Sequence, residues 1–282
     1  MKKCALLFTA LLSLLLLPSA HAAGTKEKES TYDRVMRTET IRCAYVSWPP
    51  YFYQDYDNGG KQTGIVYDLM NAIGELLDLK IEWTEEVGWG NIGEGFATGR
   101  YDMACALMWP DAPKFKNFML TIPVYYSALY PWVRADDTRF DGNLALLNSP
   151  DIKFSVIDGA MSYNLARSAF PQAETIGVPP MAQNAEWIMN ITTGKADVMI
   201  TDYDEIRNFL EQNPGKLRQV KDVPPVKIYP MVLGVPKNEP MMHQMINNAL
   251  RFSIDNGLME ELKEKYGTHY MLPKKNYTME TP

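Results

Sequence analysis

The chain has 282 residues, is 46% hydrophobic and 22% charged, and carries a formal net charge of −6. That length suffices for two lobes with full cores, and that balance excludes a mostly disordered chain or a polytopic membrane protein. The acidic excess argues against nucleic acid and anionic lipid as partners.

The first residues read as a secretory leader. Lys2 and Lys3 precede an apolar run from Ala5 to Leu17, Pro18 breaks it, and Ala20-His21-Ala22 is a small-x-small cleavage signal, so residues 1–22 are expected to be removed. Cys4 lies in the charged region rather than behind the cleavage signal, and no later run reaches the roughly 18 apolar residues of a membrane span. The product is expected to be exported and unanchored. Such a protein stays with its cell only behind an outer membrane, which points to the periplasm. Loss of Lys2 and Lys3 with no acid makes the mature chain more negative still. Cys43 and Cys105 remain, each inside an expected strand. The compartment permits a bridge, but bridging adjacent strands is geometrically demanding and a free thiol packs as a small core residue, so a free buried pair is the favoured reading and a disulfide stays open. His243 and His269 have no ligand spacing to either cysteine, so neither a metal nor another cofactor is expected. The helically spaced Met241, Met242, His243 and Met245 read as core filler rather than a soft-metal site.

Residues up to Ser30 read as a loose terminus. Ile41 to Val46 reads as a first strand, ended by Trp48-Pro49-Pro50-Tyr51, where the prolines forbid helix and ladder alike. A turn is expected at Asp57-Asn58-Gly59-Gly60. Ile65, Leu69, Ala72, Ile73 and Leu76 recur at helical spacing over 65–77, Ile81 and Trp83 alternate in a strand, and 91–98 reads as a short helix closed by Gly99. The apolar run Met103 to Met108 has the length of a buried strand and breaks at Trp109-Pro110-Asp111. In an α/β sheet, ligands meet the chain at such a strand end, and here the break carries an aromatic ring, a carboxylate at Asp111 and a cation at Lys114. After an extended segment at Leu129 to Val133 and a polar patch to Asn148, the alternation restarts. Strands are expected at 154–157, 174–178 and 198–201, and helices at 161–170, 185–193 and 205–212. An apolar extended segment at 228–235 and two helices, 241–256 and 258–266, end the fold. Strand and helix alternating in this way imply parallel sheets with right-handed crossovers.

With these elements aligned, the chain resembles the bacterial extracellular solute-binding proteins of family 3, receptors of polar amino-acid uptake. The resemblance rests on Pro49-Pro50-Tyr51 after strand 1, Gly64 to Leu69 opening a helix, Gly99-Arg100-Tyr101-Asp102 before strand 3, Leu120 to Tyr125, Gly194-Lys195-Ala196-Asp197 followed by Asp202, and Asn256-Gly257. It implies an α/β, type II periplasmic-binding fold of two lobes, each a mostly parallel sheet flanked by helices, with two hinge crossings. Lobe 1 would take residues 31–131 and 229–270, lobe 2 residues 132–228, and 271–282 would form a tail. It also implies a monomer that captures a small amino-acid-like or cationic amine ligand between the lobes and delivers it to an inner-membrane ABC permease, without catalysis. The family commonly has Thr-x-Thr-x-x-Arg where this chain has Trp109 to Lys114, and the Arg forks onto the ligand's α-carboxylate. Lys114 keeps the charge but loses the fork, and Asp111 adds a negative charge beside it. Asp202 sits at the family's ammonium-binding position. Gly159 and Met161 belong to a segment before a helix whose backbone N–H groups suit an anion, though Ala160 lacks the family's hydroxyl. Trp48, Tyr51, Trp89 and Trp109 fall at lobe 1 strand ends and read together as a cleft wall that stacks on a cationic ligand. The ligand-binding expectation is therefore Trp48, Tyr51, Trp89, Trp109, Asp111, Lys114, Gly159, Met161 and Asp202. Two alternatives remain open: an enzyme on the same fold resembling cyclohexadienyl dehydratase, with an acidic residue such as Asp111 as general acid, or a periplasmic accessory protein with a degenerate cleft.

Overall fold

A computed structural model of the chain describes residues 29–182 and 184–273; the expected leader and most of the expected tail lie outside the described residues. The chain runs through α1 (Thr31–Thr38), β1 (Thr40–Tyr45), β2 (Tyr53–Asp55), β3 (Lys61–Thr63), α2 (Ile65–Leu77), β4 (Lys80–Glu86), α3 (Glu94–Thr98), β5 (Met103–Met108), α4 (Ala112–Asn117), β6 (Phe118–Leu120) and β7 (Tyr125–Arg134). It continues through β8 (Lys153–Ile157), α5 (Met161–Ala169), β9 (Glu174–Val178), α6 (Asn184–Thr192), β10 (Val198–Thr201), α7 (Tyr203–Gln212), β11 (Leu217–Gln219), β12 (Lys227–Pro236), α8 (Pro240–Asp255) and α9 (Leu258–Tyr266).

Local chemistry explains where these elements depart from the sequence reading. Helix α1 was not anticipated; the Ser30 hydroxyl caps it by accepting the Asp33 N–H at 3.0 Å. The turn at 57–60 closes the β2–β3 hairpin. Helix α3 starts only at Glu94, because the Asn91 side chain accepts the Gly88 N–H at 2.9 Å and holds 88–91 in a turn. The polar break after β5 is itself a helix, α4. Asp111 caps it by accepting the Lys114 N–H at 3.0 Å, and its proline lies in the first turn, where a missing N–H is harmless.

Apart from the separate β2–β3 hairpin, the strands form one curled mixed sheet in the order β4-β1-β5-β12-β7-β10-β8-β9, with β6 against β12 and β11 against β7. At one end β1 pairs in parallel with β4 and β5, and at the other β8 pairs in parallel with β9 and β10. Two ten-residue strands, β7 and β12, join these ends. Their first halves pair with each other, Tyr125 to Leu129 against Lys227 to Met231. Beyond that they diverge: Tyr130 to Val133 pair with β10, while Val232 and Gly234 pair with β5. The two long strands therefore connect the two ends of the sheet. The boundaries expected at 131/132 and 228/229 fall inside β7 and β12, and Met271, the first residue of the expected tail, pairs with Tyr126.

In lobe 1, β5 is buried along its whole length between β1 and β12, and Ile65, Leu69 and Ile73 of α2 pack there with Ile246 and Leu250 of α8. A second core lies in lobe 2 around Val133, Phe154, Val156, Leu165 and Ile200. The buried Asp102 of the Gly-Arg-Tyr-Asp motif is structural. Its carboxylate accepts Arg34 Nε at 2.9 Å, Arg42 Nη2 at 3.0 Å and the Arg42 backbone N–H at 2.7 Å, tying α1 and β1 to the start of β5.

The favoured reading of Cys43 and Cys105 as free thiols is corrected: they form a disulfide between β1 and β5. Cys43 is in register with Met103, so Cys105 lies two residues on along the neighbouring strand. The Cα–Cα distance of 5.3 Å is within ordinary bridging reach. Replacing both cysteines by alanine is expected to lower the unfolding free energy by about 4 kcal/mol, the chain-entropy value for a loop of this size; urea denaturation checks it, and an unchanged midpoint would contradict it.

Candidate functional site

The C-terminal ends of the parallel lobe 1 strands deliver three tryptophans to one place. Trp48 follows β1, Trp89 follows β4 and Trp109 follows β5. With Lys114 of α4, Met161 of α5, Trp187 of α6 and Glu205 of α7 they line a cavity of about 40 Å³ between the lobes. The ring of Trp48 meets Trp89 edge-on at 5.7 Å and tilts against Trp187 at 6.3 Å. Neither Trp48 Nε1 nor Trp109 Nε1 closes a hydrogen bond of normal geometry, although the Trp48 indole lies near enough to the Glu205 carboxylate to draw on it.

Trp187 and Glu205 were missed from sequence. Trp187 lies inside the helix expected at 185–193, with no local signal that sets it apart. Its ring is fixed by a bond from Nε1 to the Ser155 carbonyl at 2.8 Å, and the Ser155 hydroxyl donates back to the Trp187 carbonyl at 2.8 Å. Glu205 did carry a signal: Asp202-Tyr203-Asp204-Glu205 has the spacing of a capping box, in which the acid three residues after the cap turns back towards it.

Four of the expected residues lie outside this lining. Asp111 and Gly159 line an adjoining groove of about 480 Å³, to which Trp89 and Lys114 also contribute. Tyr51 is buried with its ring stacked 6.4 Å from Tyr125, and burial together with the Asp202 carboxylate pushes both phenols up. Asp202, also buried, caps α7 and accepts the Glu205 N–H at 3.0 Å and the Ser127 hydroxyl. Ser127 sits on β7, so this bond runs from the crossing strand to the head of a lobe 2 helix.

The head of α7 concentrates negative charge. Burial is the largest influence on Asp202 and raises it to about 6, against the pull of the Ser127 bond and with a further push from Asp204. Burial and the Asp202 charge raise Glu205 well above the ordinary carboxylate range, and the Thr201 hydroxyl bonded to it opposes this. Asp204 faces the other way. It accepts the His269 N–H at 2.7 Å and pairs with His269 Nδ1 at 2.9 Å, while Arg207 Nη2 donates to the Tyr266 carbonyl at 3.1 Å. These bonds clip α7 to the segment that follows α9.

The position expected to hold a carboxylate is internally paired. Lys114 Nζ lies 2.9 Å from Asp111 Oδ2, and the same oxygen accepts the Asn164 amide of α5 at 3.0 Å, a bond that crosses from lobe 1 to lobe 2. Close to it the two backbones touch. A Cβ on Gly159 would stand 3.1 Å from Gly90 Cα, so only small residues allow this approach. The α5 N-terminus reaches the cavity through Ala160, Met161 and Ser162, with no side-chain cap. Asp197 lies apart, held by Arg139 and the Lys153 N–H. Among the described residues no group of three or more His, Cys, Asp or Glu is placed to hold a metal ion.

The model of the bacterial extracellular solute-binding proteins, family 3, matches residues 41–269. A probable amino-acid ABC transporter-binding protein from Haemophilus influenzae is 26% identical over 185 residues, 65% of this chain and 67% of that protein. Among solved structures, the ancestral amino acid-binding protein AncCDT-1, a precursor of cyclohexadienyl dehydratase, is 24% identical with a TM-score of 0.72, covering 85% of this chain and 100% of that one. An amino acid ABC transporter substrate-binding protein from Streptococcus pneumoniae, bound to L-arginine, is 18% identical with a TM-score of 0.71, covering 84% and 98%. At these identities the two structures speak for the fold.

The raised Asp202 carboxyl has a consequence for stability. Below about pH 4 folded and unfolded chains both hold its proton. Towards pH 6 the unfolded chain releases it first, so the stability of the ligand-free protein falls as pH rises through this window. Asp202→Asn keeps a good helix cap and is expected to remove on the order of 2–3 kcal/mol of that fall. Denaturant titrations at pH 4 and pH 7 check this; parallel curves for wild type and variant would refute it.

Proposed function

The chain belongs to the bacterial extracellular solute-binding proteins, family 3, and from that premise we propose that it is the periplasmic receptor of an ABC uptake system for an amino-acid-like or cationic amine ligand. The leader is removed on export, the ligand enters between the lobes, β7 and β12 flex as the two lobes close on it, and the closed form is read by an inner-membrane permease. The lobe boundaries expected from sequence, within these two strands, are the hinge positions of this reading.

The observation that carries the ligand class is the pair of buried carboxylates, Asp202 and Glu205, at the head of α7 beside a cavity walled by four tryptophans. Burying acids is costly, and an incoming cation offsets that cost while the indole faces add cation–π attraction. Trp48, Trp89 and Trp109 form the aromatic wall, Asp202 and Glu205 receive the positive charge, and Tyr51 supports Asp202 from behind. The amino-acid transport relative in Haemophilus influenzae supports a ligand that carries an amine.

A second reading draws on one specific observation. The Glu205 carboxyl, held above its ordinary range beside the cavity, retains a proton it can donate to a leaving hydroxyl, as an enzyme resembling cyclohexadienyl dehydratase requires. Asp111, the acid considered for that role from sequence, is instead engaged by Lys114 and Asn164. Turnover of prephenate or arogenate that is abolished by Glu205→Gln would favour the enzyme.

For the receptor reading, tryptophan fluorescence titrated with amino acids, diamines and aromatic amines is expected to show saturable binding. Affinity should rise with pH through about 6 as Asp202 ionises. Asp202→Asn should weaken binding roughly 10- to 100-fold, the range for losing a hydrogen bond to a charged group. Binding of an uncharged or anionic compound, with no response to any amine, would overturn the reading.

A further inference from the structure

Among the described residues lining the cavity, Lys114 is the cationic side chain and Glu205 the acidic one. A zwitterionic ligand would turn its ammonium to the acids at the head of α7 and its carboxylate to Lys114. That second place is already taken. The Lys114 ammonium meets Asp111 Oδ2 at 2.9 Å, with both side chains less than a tenth exposed. Asp111 is locked where it stands: Oδ1 accepts the Lys114 backbone N–H at 3.0 Å, and Oδ2 accepts the Asn164 amide from the opposite lobe at 3.0 Å. A ligand carboxylate approaching Lys114 would face the Asp111 charge. Drawing Lys114 away would leave that charge buried without its partner.

The other positive feature of the lining is the N-terminal turn of α5. It starts from Ala160 without a side-chain cap, and the Ser162 hydroxyl accepts the Ile157 N–H at 3.1 Å. A helix end offers about half an elementary charge, less than the full charge that Asp111 neutralises. The cleft is thus acidic at the head of α7 and neutralised at Lys114. Resting on the reading of the cleft as an amine site, we propose that Asp111 is a built-in counter-ion that occupies Lys114 in place of a ligand carboxylate. The cleft thereby selects amines lacking an α-carboxylate over the corresponding amino acids.

The test uses ligand pairs that differ by the carboxylate alone: agmatine and L-arginine, cadaverine and L-lysine, tyramine and L-tyrosine, each titrated calorimetrically into the protein. For at least one pair the amine is expected to bind tighter by about tenfold or more. Binding by some of the six with no pair showing that preference overturns the inference but leaves the receptor reading standing. No binding by any of the six overturns both. Asp111→Asn keeps a capping side chain on α4 and frees the Lys114 charge. It should raise the amino acid's affinity relative to the amine by about tenfold, and an unchanged ratio in the folded variant refutes the role given to Asp111. Should that variant fail to fold, the wild-type pairs decide.

Discussion

Burying carboxylates between two lobes sets the terms for the rest of this structure. Removing an acid from water is costly unless donors or a cation meet it, and the head of α7 puts Asp202, Asp204 and Glu205 under that constraint within one helical turn. Each is met differently. Asp202 takes the Ser127 hydroxyl and a backbone amide, Glu205 takes the Thr201 hydroxyl, and Asp204 turns outward to His269. The hydroxyl on β7 and the clip to the segment after α9 are thus consequences of where the charge sits. A wall of indoles completes the arrangement: it excludes water, which keeps the acids expensive to ionise, and it presents faces that attract a cation.

The crossing strands make this arrangement conditional on lobe position. β7 and β12 pair with each other over their first halves and with different strands beyond, so in the receptor reading a change in their twist would turn one lobe against the other without breaking either parallel set of strands. Opening in that reading would separate the acids and Trp187 from Trp48, Trp89 and Trp109, which the structure brings together around one cavity. The bond from Asn164 to Asp111 and the close approach of Gly90 and Gly159 span the same cleft. In the receptor reading proposed above, binding and closure would be one event.

The Trp109 to Lys114 segment shows how a family position changes meaning through its neighbours. A lysine alone would remain a point charge able to meet a carboxylate. With Asp111 three residues earlier on a capped helix, the pair is an internal ion pair whose geometry the helix enforces.

The sequence by itself determined the family, the alternation of strands and helices and the strand ends that carry Trp48, Trp89 and Trp109, because hydrophobic periodicity and helix caps are local. Helix α2 and strands β5, β9 and β10 stand where periodicity put them. Helices α1 and α4 escaped because each depends on one capping side chain more than on an apolar stripe, and the three-residue strands β6 and β11 are too short to show a period. Tertiary structure alone decided the disulfide, which hangs on the register of β1 against β5. It alone joined Trp187 and Glu205 to the cavity and spent the Lys114 charge on Asp111. Those outcomes depend on distances between segments far apart in the chain, and no local pattern encodes them.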